Sequence, residues 1–445
     1  MATEIPQKEF IHEANAKKRV IKNPQRALIR DTGAQVKELL PAQEKRFKSP
    51  PRKKTAQKKT SDITTAKVVN NPQAEHILEQ LGRKKLKESH YQRIARLFPL
   101  YISIVAIAIV FSAILSVSIG ETNIPFAETY RILVNKLFGW GNIESSTLGT
   151  ISIIWKVRLP RILFTLIVGT GLSLCGIVMQ SSVRNPLADP YILGTSAGAS
   201  LGATFAIMLG LGGVEWARTV GVSTSAFIGA LGASILVLLI AGSGGRMTPV
   251  KLVLGGTVIN MICSTFSSLI VYAFPNQDGM QSVAYWTMGS LAVGGYGDLV
   301  YVAIFTVAAI IFFFTQSRVM NAMMLGDEGA TTLGINTTRY RLIYMAVAAL
   351  LVGFMVTKCG IIGYVGLIIP HISRGLVGAD HRRLVPFAVC LGALFMLWCD
   401  VISRSALSIL FHKSGVLPLG LITSAIGAPI LLHRIIRQGF ASGAD

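Results

Sequence analysis

The sequence predicts an all-α polytopic membrane protein with ten transmembrane helices. Hydrophobic residues make up 51% of the 445 residues, charged residues only 15%, and the mean hydropathy is +0.54, which is more apolar than a solvated globular surface allows. Apolar runs recur along the chain, each close to the length of about 20 residues that spans a bilayer. The ten runs lie at about 100–119, 160–182, 193–212, 222–241, 250–274, 299–316, 340–357, 361–378, 384–403 and 416–436.

The first 92 residues differ from the rest and predict a disordered, basic N-terminal tail. They hold 21 Lys and Arg against 10 Asp and Glu and show no sustained apolar periodicity, so they cannot bury enough apolar surface to offset the entropy of ordering. A solvated tail is one interpretation and attraction to anionic lipid is the other, whereas no pattern typical of nucleic-acid binding is present. The other predicted domains are a transmembrane domain at 93–437 and a short C-terminal tail at 438–445.

The positive-inside rule predicts the orientation of these segments. A basic tail and an even number of spans place both termini in the cytoplasm, and loops on that side carry arginines such as Arg184 and Arg246. The start of the chain lacks an apolar h-region, so the tail is not predicted to be a cleaved signal peptide. Several cations, among them Arg158 and Arg404, break the trend because they fall on the outside.

The stretch from Arg158 to Gly202 sets two apolar segments on either side of a polar break. The break reads Asn185-Pro186-Leu187-Ala188-Asp189-Pro190, and each proline removes a backbone donor and disfavours helix at the preceding residue. Non-helical backbone at membrane depth persists only where it faces protein or a water-filled cavity. The break therefore predicts either a gate or an ordinary loop between helices. Gly194, Gly198 and Gly202 repeat every four residues, which predicts close helix packing.

A second segment, 325–335, reads LGDEGATTLGI and predicts a short helix outside the membrane on its inner face. Asp327 suits the N-cap position, Glu328 suits the first turn, and Gly334 can close the helix in a left-handed conformation. The helix either docks a cytoplasmic partner or is a helix within a surface loop.

The sequence contains no pattern for chemistry of its own. It lacks a Walker A motif, a His, Cys and carboxylate cluster at metal spacing, and a Ser, His and Asp signature. The five cysteines lie in or beside apolar runs without a C-x-x-C pair, which predicts free thiols that pack. Asp400 and His371 are ionisable residues in membrane segments, but they form no chain typical of a proton relay. We therefore predict that the chain is not an enzyme and binds no metal or cofactor.

An ordered set of motifs over about residues 100–436 resembles the permease subunits of type II ABC importers for cobalamin, haem and ferric siderophores. The motifs are RLPR at 158–161; Gly176 to Gln180 with the break at 185–190; Leu193-Gly194 with Gly198; Tyr285-Trp286 with Met288-Gly289-Ser290; Leu325-Gly326 through Leu333-Gly334; GYVGLIIPHISR at 363–374; Asp380-His381-Arg382; and Leu417-Pro418-Leu419-Gly420 with Gly427 and Pro429. The basic tail departs from this pattern, because members of the family usually begin close to the first helix.

The resemblance implies a homodimer of ten-helix subunits in the ABC importer permease fold, with two cytoplasmic ATPase subunits that use ATP and Mg²⁺ beneath it. It implies that Arg158 and Arg404 dock an extracytoplasmic substrate-binding protein. It also implies that Asn185, Leu187 and Thr248 form a cytoplasmic gate. Asn260 is implied to line the transport pathway. The residues implied to couple the chain to the ATPase are Leu325, Gly326, Asp327, Glu328, Ala330, Leu333 and Gly334.

The function implied by the resemblance is import of an iron complex or cobalamin across the cytoplasmic membrane by alternating access. The alternative is an ion-coupled secondary transporter that works without an ATPase. The two differ in what stops uptake, which is removal of the ATPase for an importer and collapse of the ion gradient for a secondary transporter.

Overall fold

A computed structural model describes residues 72–120, 124–143, 146–210, 215–292, 295–413 and 415–442. Within these ranges every regular element is a helix, which confirms the predicted all-α fold class. The predicted N-terminal tail lies outside the described residues up to residue 71, and the predicted C-terminal tail lies outside them from residue 443. The first described helix begins at Pro72 and the last ends at Ser442, so helix extends into both predicted tails.

The helices follow one another with short connections. In chain order they are α1 (Pro72–Ser118), α2 (Phe126–Phe138), α3 (Leu148–Ser152), α4 (Leu159–Val183), α5 (Thr195–Met208), α6 (Glu215–Gly242), α7 (Pro249–Ala273), α8 (Gln277–Thr287), α9 (Tyr296–Thr315), α10 (Ser317–Met323), α11 (Asp327–Thr332), α12 (Thr337–Cys359), α13 (Val365–Val377), α14 (His381–Phe411) and α15 (Leu419–Ser442). A π-helical segment, Ile153–Arg158, joins α3 to α4, and a 3₁₀-helix, Pro190–Leu193, precedes α5.

Seven stretches of the described chain are helical, long and apolar enough to cross a membrane. They are Ile94–Ser118, Leu148–Val183, Gly221–Gly242, Pro249–Ala273, Tyr296–Thr315, Thr337–Cys359 and His381–Leu410. Val365–Val377 and Leu419–His433 are shorter apolar helices, and α5 has 14 residues. Each predicted apolar run overlaps one of these helices, which confirms a multi-pass architecture. That all ten cross the bilayer stays a prediction.

Helix α4 forms the centre of the bundle. In the span that contains it, 78% of the apolar window is buried, against 22% in α1 and in α7. Glycines let neighbouring backbones approach it, since a Cβ added at Gly169 would lie 2.4 Å from the carbonyl oxygen of Gly392 on α14. A Cβ at Gly176 would lie 1.9 Å from the carbonyl oxygen of Gly366 on α13. Only glycine fits at these contacts, which is how small residues bring helices together in lipid.

The predicted glycine face on α5 packs against α6. A Cβ at Gly198 would lie 2.3 Å from the carbonyl oxygen of Gly229, and a Cβ at Gly202 would lie 2.0 Å from that of Ser225. Gly194 precedes α5 with φ +77°, a left-handed conformation that favours glycine. The interpretation of this repeat as packing within the fold is confirmed.

Three non-helical junctions meet beside α12 and bring two of the sequence motifs together. The amide of Ser290 donates to the carbonyl of Cys359 at 2.8 Å. The amides of Leu419 and Gly420 donate to the carbonyls of Gly289 and Met288, both at 2.9 Å. These bonds satisfy backbone groups that the helices leave unpaired, which a segment inside an apolar bundle requires. Helix α13, which follows, has only 13 residues and contains Pro370.

Candidate functional site

Helix α4 connects two clusters of polar contacts at opposite ends of the bundle. We call the first the Asn185 end; there, Arg341 on α12 bonds the last turn of α4 and the loop before α7. We call the second the Arg158 end; there, Arg158 bonds carbonyls at the C-terminus of α1. Helix α4 has 25 residues, so the two clusters are about 37 Å apart along its axis.

At the Asn185 end the predicted break is a tight, hydrogen-bonded turn. Helix α4 ends at Val183, and Arg184 takes the left-handed conformation with φ 54°. The side-chain oxygen of Asn185 then accepts from the amide of Leu187 at 2.9 Å, while the Leu187 side chain is exposed. Asp189 accepts from the amide of Tyr191 at 2.8 Å and caps the 3₁₀-helix. The break thus presents one apolar side chain on a fixed backbone.

Thr248 stands at the start of α7 beside the same end of the bundle. Its hydroxyl oxygen accepts from the amide of Lys251 at 3.3 Å and caps the helix. The Lys251 ammonium turns back and donates to the carbonyl of Ser243 at 2.6 Å, which holds the preceding loop. The loop from Gly242 to Thr248 is therefore ordered by the first turn of α7.

Asn260 lies in the middle of α7, on a helix that is mostly exposed in this single chain. Its side-chain oxygen is buried, and among the described residues it has no hydrogen-bond partner. An unsatisfied buried amide oxygen is costly in an apolar setting. The exposed apolar residues along α7 include Leu254, Val258, Met261 and Phe266. Asn260 is thus a polar group within an uncovered apolar helix.

Helix α11 has the predicted position, but its N-terminus differs from the prediction. Asp327 is not the N-cap; Gly326 holds that position with φ +100°, and Asp327 is the first helical residue. Gly334 takes the predicted left-handed conformation, with φ +81°. Ala330 is buried beneath the helix. The exposed members of the predicted coupling set are Leu325, Glu328, Leu333 and Gly334.

Arg341 connects α11 to the two gate segments. Its guanidinium donates to the carbonyl of Ser182 at 2.9 Å, to the carbonyl of Met247, and to the carboxylate of Asp327 at 2.8 Å. The Arg341 side chain is 1% exposed and that of Asp327 is 37% exposed. The Arg184 guanidinium also lies against Gly326, 3.1 Å from where a Cβ would stand. The last turn of α4, the loop before α7, and α11 are therefore bonded through one buried arginine.

Sequence reasoning did not identify Arg341 as part of the site. A signal was nevertheless present, because Arg341 lies inside a membrane span, Thr337–Cys359, and an ionisable residue there indicates function or a specific partner. The three partners come from separate parts of the chain and could not be read from the sequence.

A cavity of about 1350 Å³ opens beside these contacts. Its walls are the loop from Gly242 to Thr248, the outer face of α11 and the first turn of α12. Thr248, Asp327 and Glu328 all line it. Residues predicted to form the gate and the coupling element therefore share one surface.

At the Arg158 end, the two arginines predicted to dock a binding protein are buried. Arg158 donates to the carbonyls of Val117 and Ser118 at 2.7 and 2.9 Å, and Arg404 donates to the carbonyl of Ile119 at 2.7 Å. Both guanidiniums therefore hold the C-terminus of α1 in this conformation instead of projecting from the surface. Their role in docking stays a prediction.

Two ion pairs at the Arg158 end join distant helices. Asp400, fully buried, lies 2.8 Å from the guanidinium of Arg161 and 2.9 Å from that of Arg404. Lys358 lies 2.8 Å from Asp298, and these two side chains are 21% and 30% exposed. The intramembrane carboxylate noted in the sequence is therefore neutralised by two cations that connect α4 and α14.

A capping group orders the connection from α13 to α14 at the Asn185 end. Asp380 accepts from the side-chain amide of Asn321 at 2.8 Å and from the backbone amide of Arg382 at 3.1 Å. Burial alone would raise the pKa of Asp380, but these hydrogen bonds and the charges of Arg383 and Arg382 lower that pKa below its usual value. The carboxylate is therefore the form that the fold stabilises.

Metal ligands do not converge within the described part of the chain. No group of three or more His, Cys, Asp or Glu side chains there could hold an ion. The five cysteines are free, as predicted; Cys390 is half-buried, and Cys175, Cys263, Cys359 and Cys399 are buried.

A bundle of apolar spans around an enclosed central helix, with its polar contacts gathered at the two ends, defines a multi-pass membrane protein. The comparisons with known proteins agree with this class. Residues 107–437 match the FecCD transport family. The chain belongs to that family, which consists of ABC transporter permeases and not of enzymes.

Two relatives show how far the similarity extends. The hemin transport system permease of Yersinia pestis is 34% identical over 287 residues, which are 64% of this chain and 84% of the relative. The vitamin B12 import system permease of Escherichia coli is 33% identical over 291 residues, again 64% of this chain and 84% of the relative.

A solved structure agrees in fold as well as in sequence. It shows an ABC transporter assigned to the metal-chelate type, in an inward-facing conformation. It is 29% identical with a TM-score of 0.64, and the match covers 76% of this chain and 99% of that one.

Proposed function

We propose that this chain is the membrane-spanning subunit of a binding-protein-dependent importer that carries a metal chelate into the cell. The substrate is an iron complex, either a ferric siderophore or haem, or cobalamin. The family match and the hemin and vitamin B12 relatives support this class of cargo. Movement is by alternating access, and a separate ATPase drives it.

The observation that carries the proposal is the arrangement at the Asn185 end. Arg341 bonds the last turn of α4, which leads directly into the break with Asn185 and Leu187, to the loop before Thr248 and to α11. A gate that opens on ATP hydrolysis must lie where an ATPase can act on it. Here Thr248 of the proposed gate lines one cavity with Asp327 and Glu328 of the proposed docking helix.

The proposed partners follow from the exposed surfaces. Two ATPase subunits bind from the cytoplasm, where α11 presents Leu325 and Leu333 to solvent. A second copy of the chain packs along α7, so that Asn260 faces the pathway at the two-fold axis. A substrate-binding protein docks at the Arg158 end, which is extracytoplasmic. Both termini are then cytoplasmic, and the chain lies in the cytoplasmic membrane in contact with lipid.

The mechanism requires only differential affinity. The binding protein and the nucleotide-bound ATPase each bind one arrangement of the helices better than the other, and each can shift the equilibrium only by that difference. Central helix α4 contacts both ends. No ATP or Mg²⁺ is bound by this chain in the proposal, because the ATPase subunits carry both.

The test is uptake by proteoliposomes that contain this chain, its ATPase and the cognate binding protein. Uptake of a metal chelate should require ATP and the ATPase. Uptake that continues without the ATPase and stops when the ion gradient collapses would instead establish the secondary transporter. Uptake of each candidate chelate, measured with the cognate binding protein, identifies the substrate.

Charge reversal on α11 tests the docking surface. Asp327→Lys with Glu328→Lys should reduce co-purification of the ATPase and its stimulated hydrolysis. The control is Asp278→Lys, because Asp278 is an exposed acid at the start of α8, away from α11. Unchanged stoichiometry and stimulation in the α11 variant would count against the assignment.

A further inference from the structure

We infer that Arg341 is a positioning residue that transmits movement of α11 to both segments of the gate. The inference rests on the proposed function and adds a specific residue to it. It is carried by the three partners of one guanidinium, which are Ser182 at the end of α4, Met247 before α7, and Asp327 on α11. Ser182 and Met247 lie 159 and 94 residues from Arg341 along the chain.

The chemistry of these contacts requires arginine. The guanidinium uses Nε for Ser182, Nη1 for Met247 and Nη2 for Asp327, so its planar fork bonds three segments at once. A lysine ammonium is a compact charge on a flexible stem and cannot reproduce this fixed geometry. Arg341 is almost fully buried, so water cannot take the place of a lost partner.

The two partners of the ion pair, Arg341 and Asp327, differ in burial. This difference determines which of the two a cytoplasmic partner can reach. Arg341 is enclosed, whereas the carboxylate side of Asp327 borders the cavity and solvent. A partner that moves α11 therefore acts on Asp327. The buried guanidinium then either moves with the carboxylate, together with the Ser182 and Met247 carbonyls, or loses its counter-charge inside the protein. Because the second outcome is strongly unfavourable, the first is the favoured response.

Arg184 provides a neighbouring contact of the same kind. It is the left-handed residue that ends α4, and its guanidinium lies against Gly326 at the start of α11. The N-terminus of α11 is therefore in contact with the break directly as well as through Arg341. The loop before α7 reaches α11 through the Arg341 contact described above.

A purely stabilising role would also explain a buried arginine, so the test measures coupling. Arg341→Lys and Asp327→Asn are reconstituted with the ATPase and binding protein, and uptake and ATP hydrolysis are measured in the same vesicles. Uptake per ATP should fall about 5- to 150-fold, the usual range of coupling between sites. In Arg341→Lys, whose side chain is buried, hydrolysis and subunit stoichiometry should stay close to those of the unmodified importer.

Two matched controls separate coupling from charge and from helix stability. Asp278→Asn removes one acidic charge, as Asp327→Asn does, but from the exposed start of α8, away from α11. Lys358→Gln breaks an ion pair on the same helix, α12, at its opposite end. Both should keep normal uptake per ATP. Equal losses in Asp327→Asn and Asp278→Asn would overturn the inference.

The labelling rate of a cysteine in the break reports on gate movement, and a change in protein stability alone would not alter its response to nucleotide. Leu187→Cys places a thiol on the exposed break, and its labelling rate should change when the ATPase binds nucleotide. In Arg341→Lys, or in Asp327→Asn if the first variant does not fold, that change should be lost. A preserved change with preserved uptake per ATP would overturn the inference. Uptake by the unmodified chain without its ATPase would instead overturn the proposed function.

Discussion

The substitution Asp400→Asn should destabilise the protein more than any loss of an exposed ion pair. It removes the negative charge that lies 2.8 and 2.9 Å from two guanidiniums, those of Arg161 and Arg404. Asparagine keeps the shape and size of the side chain. The change therefore isolates the effect of charge from that of packing.

The burial of the cluster sets the magnitude. Side-chain exposures are 0% for Asp400, 12% for Arg161 and 6% for Arg404, so two cations would remain enclosed without a counter-charge. Breaking a buried pair in this way costs about 3–5 kcal/mol. We expect the lower part of that range, because Arg404 also donates to Ser116 Oγ and to the carbonyl of Ile119, both at 2.7 Å.

The assay is thermal unfolding of the purified protein in detergent, with Lys358→Gln as the control. Lys358 and Asp298 are 21% and 30% exposed, and pairs that contact solvent contribute about 0–1 kcal/mol. The melting temperature should therefore fall clearly in Asp400→Asn and little in Lys358→Gln. Equal falls in the two variants would refute the reasoning. In the double variant Arg161→Gln with Asp400→Asn, the losses should not add, because both remove one interaction.

Three further predictions concern single contacts. Gly176→Ala should lower the free energy of unfolding by about 1–3 kcal/mol, because the added Cβ would lie 1.9 Å from the carbonyl oxygen of Gly366 on α13. The control is Gly375→Ala, also on α13, whose Cβ would meet nothing within 4 Å and should not destabilise. Arg158→Gln should lower the melting temperature and weaken capture of the binding protein in a pull-down; normal values of both would contradict its assigned contacts. Asp380→Asn should destabilise at neutral pH but not in acid: since the folded-state pKa is lowered, the carboxylate stabilises above the usual pKa of about 4 and that contribution is lost as pH falls through the lowered value.

The sequence predicted the helices and the break because both depend on local composition. Each apolar run became part of a helix, since a segment in lipid must satisfy its backbone internally. Pro186 and Pro190 placed the break correctly. The prediction for Asp327 as an N-cap was wrong because Gly326 can adopt φ +100° there, which freed the carboxylate to bond Arg341.

The functional contacts could not be predicted from the sequence, because they join residues that are far apart along the chain. Arg158 and Arg404 were singled out as outside charges, yet the structure turns both guanidiniums inward to carbonyls of α1. Their spacing in the sequence, at 158 and 404, contains no information on which carbonyls they meet. Asp400 was noted as an intramembrane charge, but its pairing with Arg161 crosses 239 residues.

The sequence by itself determined that this chain is a multi-pass helical membrane protein, because hydrophobic length and proline placement act within about 20 residues. Only the tertiary structure decided that Arg341 joins the end of α4, the loop before α7, and α11. The physical reason is that a buried guanidinium is stable only where several acceptors converge on it. That convergence is produced by the packing of α4, α7, α11 and α12, and not by any one of them.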